Sequence, residues 1–160
     1  MYSGADHTRI LLAQPSDGLL LRKLALDSRI DAWSEADYAE EISRPRSFVL
    51  KASAGRNVVG FLVARIVPGS DGATDAELYN IGVADSYRRK GIGSHLMVDL
   101  RRRLEVAGVQ NLWLEVRESN DEAISFYEKL GFRAEVTRKN FYSNPVENAV
   151  IMQLRIGEKE

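Results

Sequence analysis

The sequence predicts an α/β fold, a central mixed and mostly antiparallel sheet flanked by helices, and three observations predict it. Runs rich in β-branched residues alternate with amphipathic runs along the whole chain. Ser47 to Ala54 and Val58 to Val67 flank the turn-forming Gly55, Arg56 and Asn57, as an antiparallel hairpin requires. Ile92, Leu96, Leu100 and Leu104 recur every four residues, the signature of one apolar stripe on a helix. With 160 residues, 44% of them hydrophobic, the chain is long enough to bury one core, so residues 1–160 read as a single domain.

Taken in order, Ile10 to Ala13 is a short apolar run suited to a first strand. Leu19, Leu20, Leu24 and Leu26 follow in a segment of mixed helical spacing, where a first helix fits. Ser34 precedes Glu35, Ala36 and Asp37, an N-cap followed by acids in the first turn, which starts a second helix ending at Ile42 before Pro45. After the hairpin, Gly69 to Gly72 forms a polar turn and Glu77 to Val83 a further strand. The helix of the Ile92 stripe ends near Gly108, with Arg101, Arg102 and Arg103 facing mostly outward. Leu112 to Val116 is a strand, Asn120 to Leu130 a helix stopped by Gly131, and Ala134 to Arg138 and Ala149 to Ile156 close the sheet.

Composition removes several function classes. The formal net charge is -1, from 22 basic and 23 acidic residues, so nothing points to nucleic acid held by bulk electrostatics. The absence of cysteine excludes a disulfide framework, a thiolate metal site and a cysteine nucleophile, so an acyl group would move directly and no metal is expected. Met1 to Arg9 lacks the apolar core of a secretion signal, and no run reaches the roughly 18 apolar residues of a membrane span. A cytoplasmic protein without a membrane partner is the expectation, and nothing fixes an oligomeric state.

The chemistry begins at Arg88, Arg89, Lys90, Gly91, Ile92, Gly93 and Ser94, where a strand gives way to a helix. Free backbone N–H groups at a helix start bind anions, and glycine lets a phosphate approach the main chain. The three cations add charge, so the segment reads as a pyrophosphate cradle, the alternative being a basic turn with capping glycines. A Walker loop places its lysine after the glycines, and the dinucleotide fingerprint needs a third glycine where His95 and Leu96 stand; neither fits.

Val83, Ala84, Asp85, Tyr87 and the segment Arg88 to Gly93 resemble the acetyl-CoA signature of the GNAT N-acetyltransferases. Downstream, Leu112-Trp113-Leu114-Glu115-Val116-Arg117, Ser119-Asn120, Ala123-Ile124, Phe126 to Phe132, Asn140-Phe141-Tyr142 and Asn148 to Met152 are similar to the RimI group within that family, which acetylates the N-terminal alanine of a ribosomal protein. The resemblance runs from about Trp33 to Leu154. It implies a GNAT-type acyl-CoA N-acyltransferase fold with acetyl-CoA as cosubstrate and a protein or peptide N-terminus, a ribosomal one foremost, as acceptor.

The same resemblance implies residue roles. Glu115 would be the base that takes a proton from the attacking amine; an α-amino group has a pKa of roughly 8, so a modest base is enough. Its alternative is an outward-facing strand carboxylate. Tyr127 would protonate the departing thiolate, against the alternative of a core aromatic beside Phe126 and Phe132. Asn120 would touch CoA, cap the helix, or do both. Ile81, Gly82 and Val83 would offer main-chain groups to the pantetheine arm, the glycine suiting a bulge. Trp33 and Tyr142 lie in the segments that flank the acceptor groove of related enzymes, with core packing as the alternative for each. Arg88 stands where glutamine is frequent, and His95, read as a surface residue, where a small side chain is usual. The stretch Ser143 to Asn148 is shorter, and Gly69 to Thr74 longer, than the group's pattern. Asp27, Asp31, Glu35 and Glu77 read as solvated surface acids. Two readings stay open beside the leading one: a broader N-terminal or lysine acetyltransferase, and a noncatalytic acyl-CoA-binding regulator.

Overall fold

The structure is a computed structural model that describes residues 7–28, 30, 33–69 and 74–157. Among them, seven strands form one mixed sheet in the order β1-β2-β3-β4-β5-β7-β6. The strands are β1 (Thr8–Leu12), β2 (Ser47–Ala54), β3 (Asn57–Pro68), β4 (Thr74–Val83), β5 (Asn111–Arg117), β6 (Arg133–Tyr142) and β7 (Glu147–Arg155). The helices are α1 (Gly18–Asp27), α2 (Glu35–Ile42), α3 (Ile92–Val106) and α4 (Asp121–Lys129). The β4–β5 pair is parallel, while β1–β2, β2–β3, β5–β7 and β6–β7 are antiparallel. The chain divides into two compact units, one of residues 1–65 and 79–103 and one of residues 66–78 and 104–160.

In the first unit, Leu21, Leu24 and Ala25 of α1 fall at the i, i+3, i+4 spacing that gathers side chains on one helix face. They pack with Tyr38 of α2 and with Val49, Phe61 and Val63 of the β2–β3 hairpin. The Ser34 hydroxyl accepts from the Asp37 amide at 3.0 Å, so the predicted cap starts α2. Gly55 turns the hairpin with φ +61°, and Ala54 pairs with Asn57. Glu41, 2% exposed, is ion-paired to Arg65, the partner a buried carboxylate requires. At the start of α3, Ile92 and Leu96 are buried, and a Cβ on Gly60 of β3 would lie 3.1 Å from Ile92, so the hairpin holds the helix start closely.

In the second unit, Leu112, Leu114 and Val116 of β5 are buried and Trp113, Glu115 and Arg117 alternate to the opposite face. The parallel ladder pairs Asp75, Ala76 and Glu77 with Asn111, Leu112 and Trp113. Asp75 fastens it, accepting from Asn111 Nδ2 and Trp113 Nε1, both at 3.0 Å. After α4 the chain turns at Gly131, φ +103°, a backbone state that strains any residue with a Cβ. Strand β6 is longer than the expected Ala134 to Arg138. Its nine residues from Arg133 to Phe141 are all exposed, so no alternation of burial marked its extent in the sequence. β1 runs from Thr8 instead of Ile10, and Ala13 lies beyond it, its amide bonded to the Val49 carbonyl at 2.8 Å. The enlarged turn expected at Gly69 to Thr74 and the acid Asp31 fall mainly or wholly outside the described residues.

Candidate active site

The first unit carries the loop expected to bind an anion. β4 ends at Val83, a short 3-10 turn spans Asp85–Tyr87, and the chain then reverses into α3 through Arg89 at φ +61° and Gly91 at φ +80°. The His95 amide is bonded to the Gly91 carbonyl at 3.0 Å, which leaves the amides of Ile92, Gly93 and Ser94 at the helix end without an intrahelical acceptor. A Cβ on Gly91 would meet nothing within 4 Å, so the main chain there lies open. Arg88, Arg89 and Lys90 are exposed around it, with the Lys90 ammonium 5.1 Å over the Tyr87 ring. Converging amides, the dipole of a 15-residue helix and three cations fit a pyrophosphate. His95 is exposed, as the surface reading expects.

Ile81, Gly82 and Val83 precede the loop on β4. Gly82 answers to crowding: an added Cβ would sit 2.9 Å from Ser28 Oγ and 3.1 Å from the Phe61 ring. Ser28 Oγ also donates to the Val83 carbonyl at 3.4 Å. Trp33, partly buried, stacks on Tyr38 with ring centres 5.3 Å apart, and its amide donates to the Tyr38 hydroxyl at 3.3 Å. It also lines a polar cleft of about 240 Å³ with Asp37, Glu40, Glu41, Arg44 and Arg65. Packing and access thus coexist at Trp33.

The second unit carries the residues expected to serve as acid and base. Glu115 projects from the open face of β5, two residues from Trp113, and is exposed. Partial burial pushes its carboxyl above the ordinary range; the Arg138 guanidinium pulls it back down and the Glu77 carboxylate pushes it up. The net result is a carboxyl that holds a proton more firmly than a free carboxylate does. Tyr127, on α4, is 8% exposed, with its ring edge-on to Phe126 at 5.4 Å and Phe132 at 5.5 Å. Burial, then the Tyr142 phenol, pushes its hydroxyl far above the usual tyrosine range, so it stays protonated at any physiological pH. Asn120 caps α4, its Oδ1 accepting from the Ala123 amide at 3.1 Å.

Tyr142 closes β6, partly buried, with the Arg117 guanidinium 4.3 Å over its ring. This unit therefore places Glu115, Tyr127, Asn120 and Tyr142 on β5, α4 and the β6 end. The sequence reading gave no role to Arg117, although it closes the β5 motif, nor to Glu147, which no local pattern marks. The described residues contain no cluster of three or more His, Asp or Glu placed to hold a metal ion.

Residues 19–132 match the model of the acetyltransferase (GNAT) family. The chain belongs to that family. As a GNAT acetyltransferase it is similar to the [ribosomal protein bS18]-alanine N-acetyltransferase of Salmonella typhimurium, 37% identical over 127 residues that cover 78% of this chain and 82% of the relative. The N-alpha-acetyltransferase RimI of Mycobacterium tuberculosis is 30% identical over 129 residues, 80% of this chain and 78% of that one. Among solved structures, the ribosomal-protein-S18-alanine N-acetyltransferase from Escherichia coli superposes with a TM-score of 0.82 at 32% identity, covering 96% of both chains. These comparisons agree with the expected resemblance to the RimI group and with the expected sheet.

Proposed function

We propose that this GNAT acetyltransferase moves the acetyl group of acetyl-CoA directly to a protein N-terminal amine, with the N-terminal alanine of ribosomal protein bS18 as acceptor. One observation carries the reading: a protein-chain acetyltransferase of that specificity is 37% identical over most of this chain, and the carboxylate and phenol such a transfer calls for stand at Glu115 and Tyr127. The whole chain acts as one cytoplasmic enzyme domain, and no helix among its described residues is long and apolar enough to cross a membrane.

Acetyl-CoA binds with its pyrophosphate on the amides of the Gly91–Ser94 segment and the side chains of Arg88, Arg89 and Lys90. The main chain of Ile81, Gly82 and Val83 takes the pantetheine arm, and Asn120 adds a side-chain contact while capping α4. Trp33 and Tyr142 are each assigned a contact with the acceptor. Glu115, directly or through one water, removes the proton that keeps the α-amine an ammonium. The free amine attacks the thioester carbonyl, the C–N bond forms, and collapse of the tetrahedral adduct breaks the C–S bond. Tyr127 donates to the departing sulfur. Because burial makes that phenol a reluctant acid, it first stabilises the thiolate as a hydrogen-bond donor, and the proton it passes to sulfur is replaced by the second proton of the amine nitrogen, which the adduct sheds through water as it collapses to the amide.

Release of free CoA thiol, measured over a panel of N-terminal peptides with a pre-acetylated control, tests the reading. Turnover on the bS18 alanine peptide and none on the blocked peptide is expected. Turnover restricted to other N-termini or to lysine would overturn the acceptor. Tight acetyl-CoA binding with no turnover on any amine would replace the enzyme by a binding regulator.

A further inference from the structure

The loop after β5 and the turn between β6 and β7 are joined by polar contacts that meet at two side chains. Glu147 Oε1 accepts from the Ser119 amide at 2.7 Å, and Oε2 from Arg117 Nη1 at 3.3 Å. The same guanidinium nitrogen donates to the Pro145 carbonyl at 3.3 Å, and the guanidinium covers the Tyr142 ring at 4.3 Å. Around this centre, the Glu118 amide bonds the Asn148 carbonyl at 3.0 Å. Asn148 Nδ2 donates to Glu118 at 2.9 Å, and Asn148 Oδ1 accepts from the Asn140 amide at 3.0 Å. A lone exposed ion pair holds little. Here one carboxylate meets a main-chain amide and a guanidinium, and that guanidinium also caps a ring and a carbonyl, so ordering one group orders the rest.

We propose that Arg117 and Glu147 are a positioning pair that fixes Tyr142 for acceptor recognition. The inference rests on the proposed acceptor role of Tyr142. Neither residue of the pair touches the reacting atoms. Glu147 orients Arg117, Arg117 fixes the plane of the Tyr142 ring and the carbonyl of the following turn, and the ring presents one side of the acceptor site. Tyr142 also acts electrostatically on the phenol of Tyr127, the group proposed to serve the leaving sulfur.

Steady-state kinetics on whichever amine peptide the wild type turns over best tests the pair, using Glu147→Gln, Tyr142→Ala and the double variant. Glu147→Gln is expected to raise the peptide KM about tenfold, the scale of one charge-assisted contact, with acetyl-CoA KM within about twofold and kcat within about threefold. The double variant is expected to match Tyr142→Ala alone, because the pair acts through that ring. Glu147→Asp, which keeps the charge, restores part of the loss. Equal rises in both KM values, additive losses in the double variant, or an unchanged peptide KM would each overturn the proposal. Hydrogen exchange separates this from failure of the acetyltransferase reading: in Glu147→Gln, faster exchange confined to residues 140–148 supports the clamp without any turnover, and unchanged exchange there sinks it. A wild type that acetylates no amine removes the acceptor role along with the proposed function.

Discussion

The proposed function gives the loop at residues 88–94 and the pair Glu115 and Tyr127 parts that rest on different physics. The loop works with main-chain amides, a helix dipole and positive φ angles at Arg89 and Gly91, so what matters is a backbone shape. The proposed parts of Glu115 and Tyr127 depend on single side chains whose surroundings set their proton affinity. Desolvation raises both, with opposite consequences: the partly desolvated carboxyl of the exposed Glu115 gains appetite for a proton, and the buried phenol holds its own firmly. A backbone device survives most side-chain changes and fails when its φ angles fail, whereas a side-chain device fails at one atom.

The largest effect that would sharpen this contrast is at Glu115. Glu115→Gln is expected to lower kcat/KM by about 10²- to 10³-fold, the range of a general base, with little change in acetyl-CoA binding. In the wild type, kcat/KM falls as pH drops through the raised Glu115 pKa, so that limb lies above the ordinary carboxylate range; a limb at or below that range in the pH profile would break the assignment. The linkage runs the other way for stability. A carboxyl with its folded pKa above the unfolded value favours the fold while protonated, and that contribution is lost as pH rises from the unfolded to the folded pKa. Glu115→Gln is therefore expected to melt no lower than wild type at pH 7. Next comes Tyr127→Phe, expected to lower kcat by about 10- to 100-fold while the ring, still packed on Phe126 and Phe132, keeps the melting temperature near wild type. An unchanged kcat would return Tyr127 to the core.

Gly91→Ala probes the backbone device. Its Cβ would touch nothing, so the cost is the left-handed conformation alone, about 1 kcal/mol, together with a methyl group on the open main chain. The acetyl-CoA KM is expected to rise about tenfold with the peptide KM unchanged. The smallest effect separates the two tasks of Asn120. Asn120→Asp keeps an N-cap and its stability, whereas Asn120→Ala loses about 1 kcal/mol of it in thermal or denaturant melting. Both are expected to raise the acetyl-CoA KM if the side chain also meets the cosubstrate, and an Asp variant identical to wild type reduces Asn120 to a cap.

The same contrast explains what was legible in the sequence. The Ile92 stripe, the β2–β3 hairpin and the Ser34 cap are local patterns, and each recurs in the structure within a few residues. The glycine loop was legible because a backbone device leaves its glycines in a fixed order. Glu115 and Tyr127 carry no such local mark. Composition and spacing alone favour a surface carboxylate at Glu115 and leave a core aromatic open at Tyr127, and the acid and base roles come only from the family resemblance. The full length of β6 was hidden because exposure of every residue from Arg133 to Phe141 erases the two-residue period. Arg117 and Glu147 stand 30 positions apart and meet only through the β5–β7 pairing, which brings Arg117 opposite Ala149. No window along the chain contains both.

Strand β6 holds a further consequence, one for how such an enzyme changes over generations. A strand that buries almost none of its side chains can exchange residues with little penalty to the core, since surface substitutions rarely move stability by more than about 0.5 kcal/mol. Because β6 ends in Tyr142, drift along it leads directly to the proposed acceptor side. On the proposed role of Tyr142, acceptor preference sits where variation is cheapest, and a library randomised at Glu135, Thr137 and Lys139 is expected to sample new preferences from folded proteins.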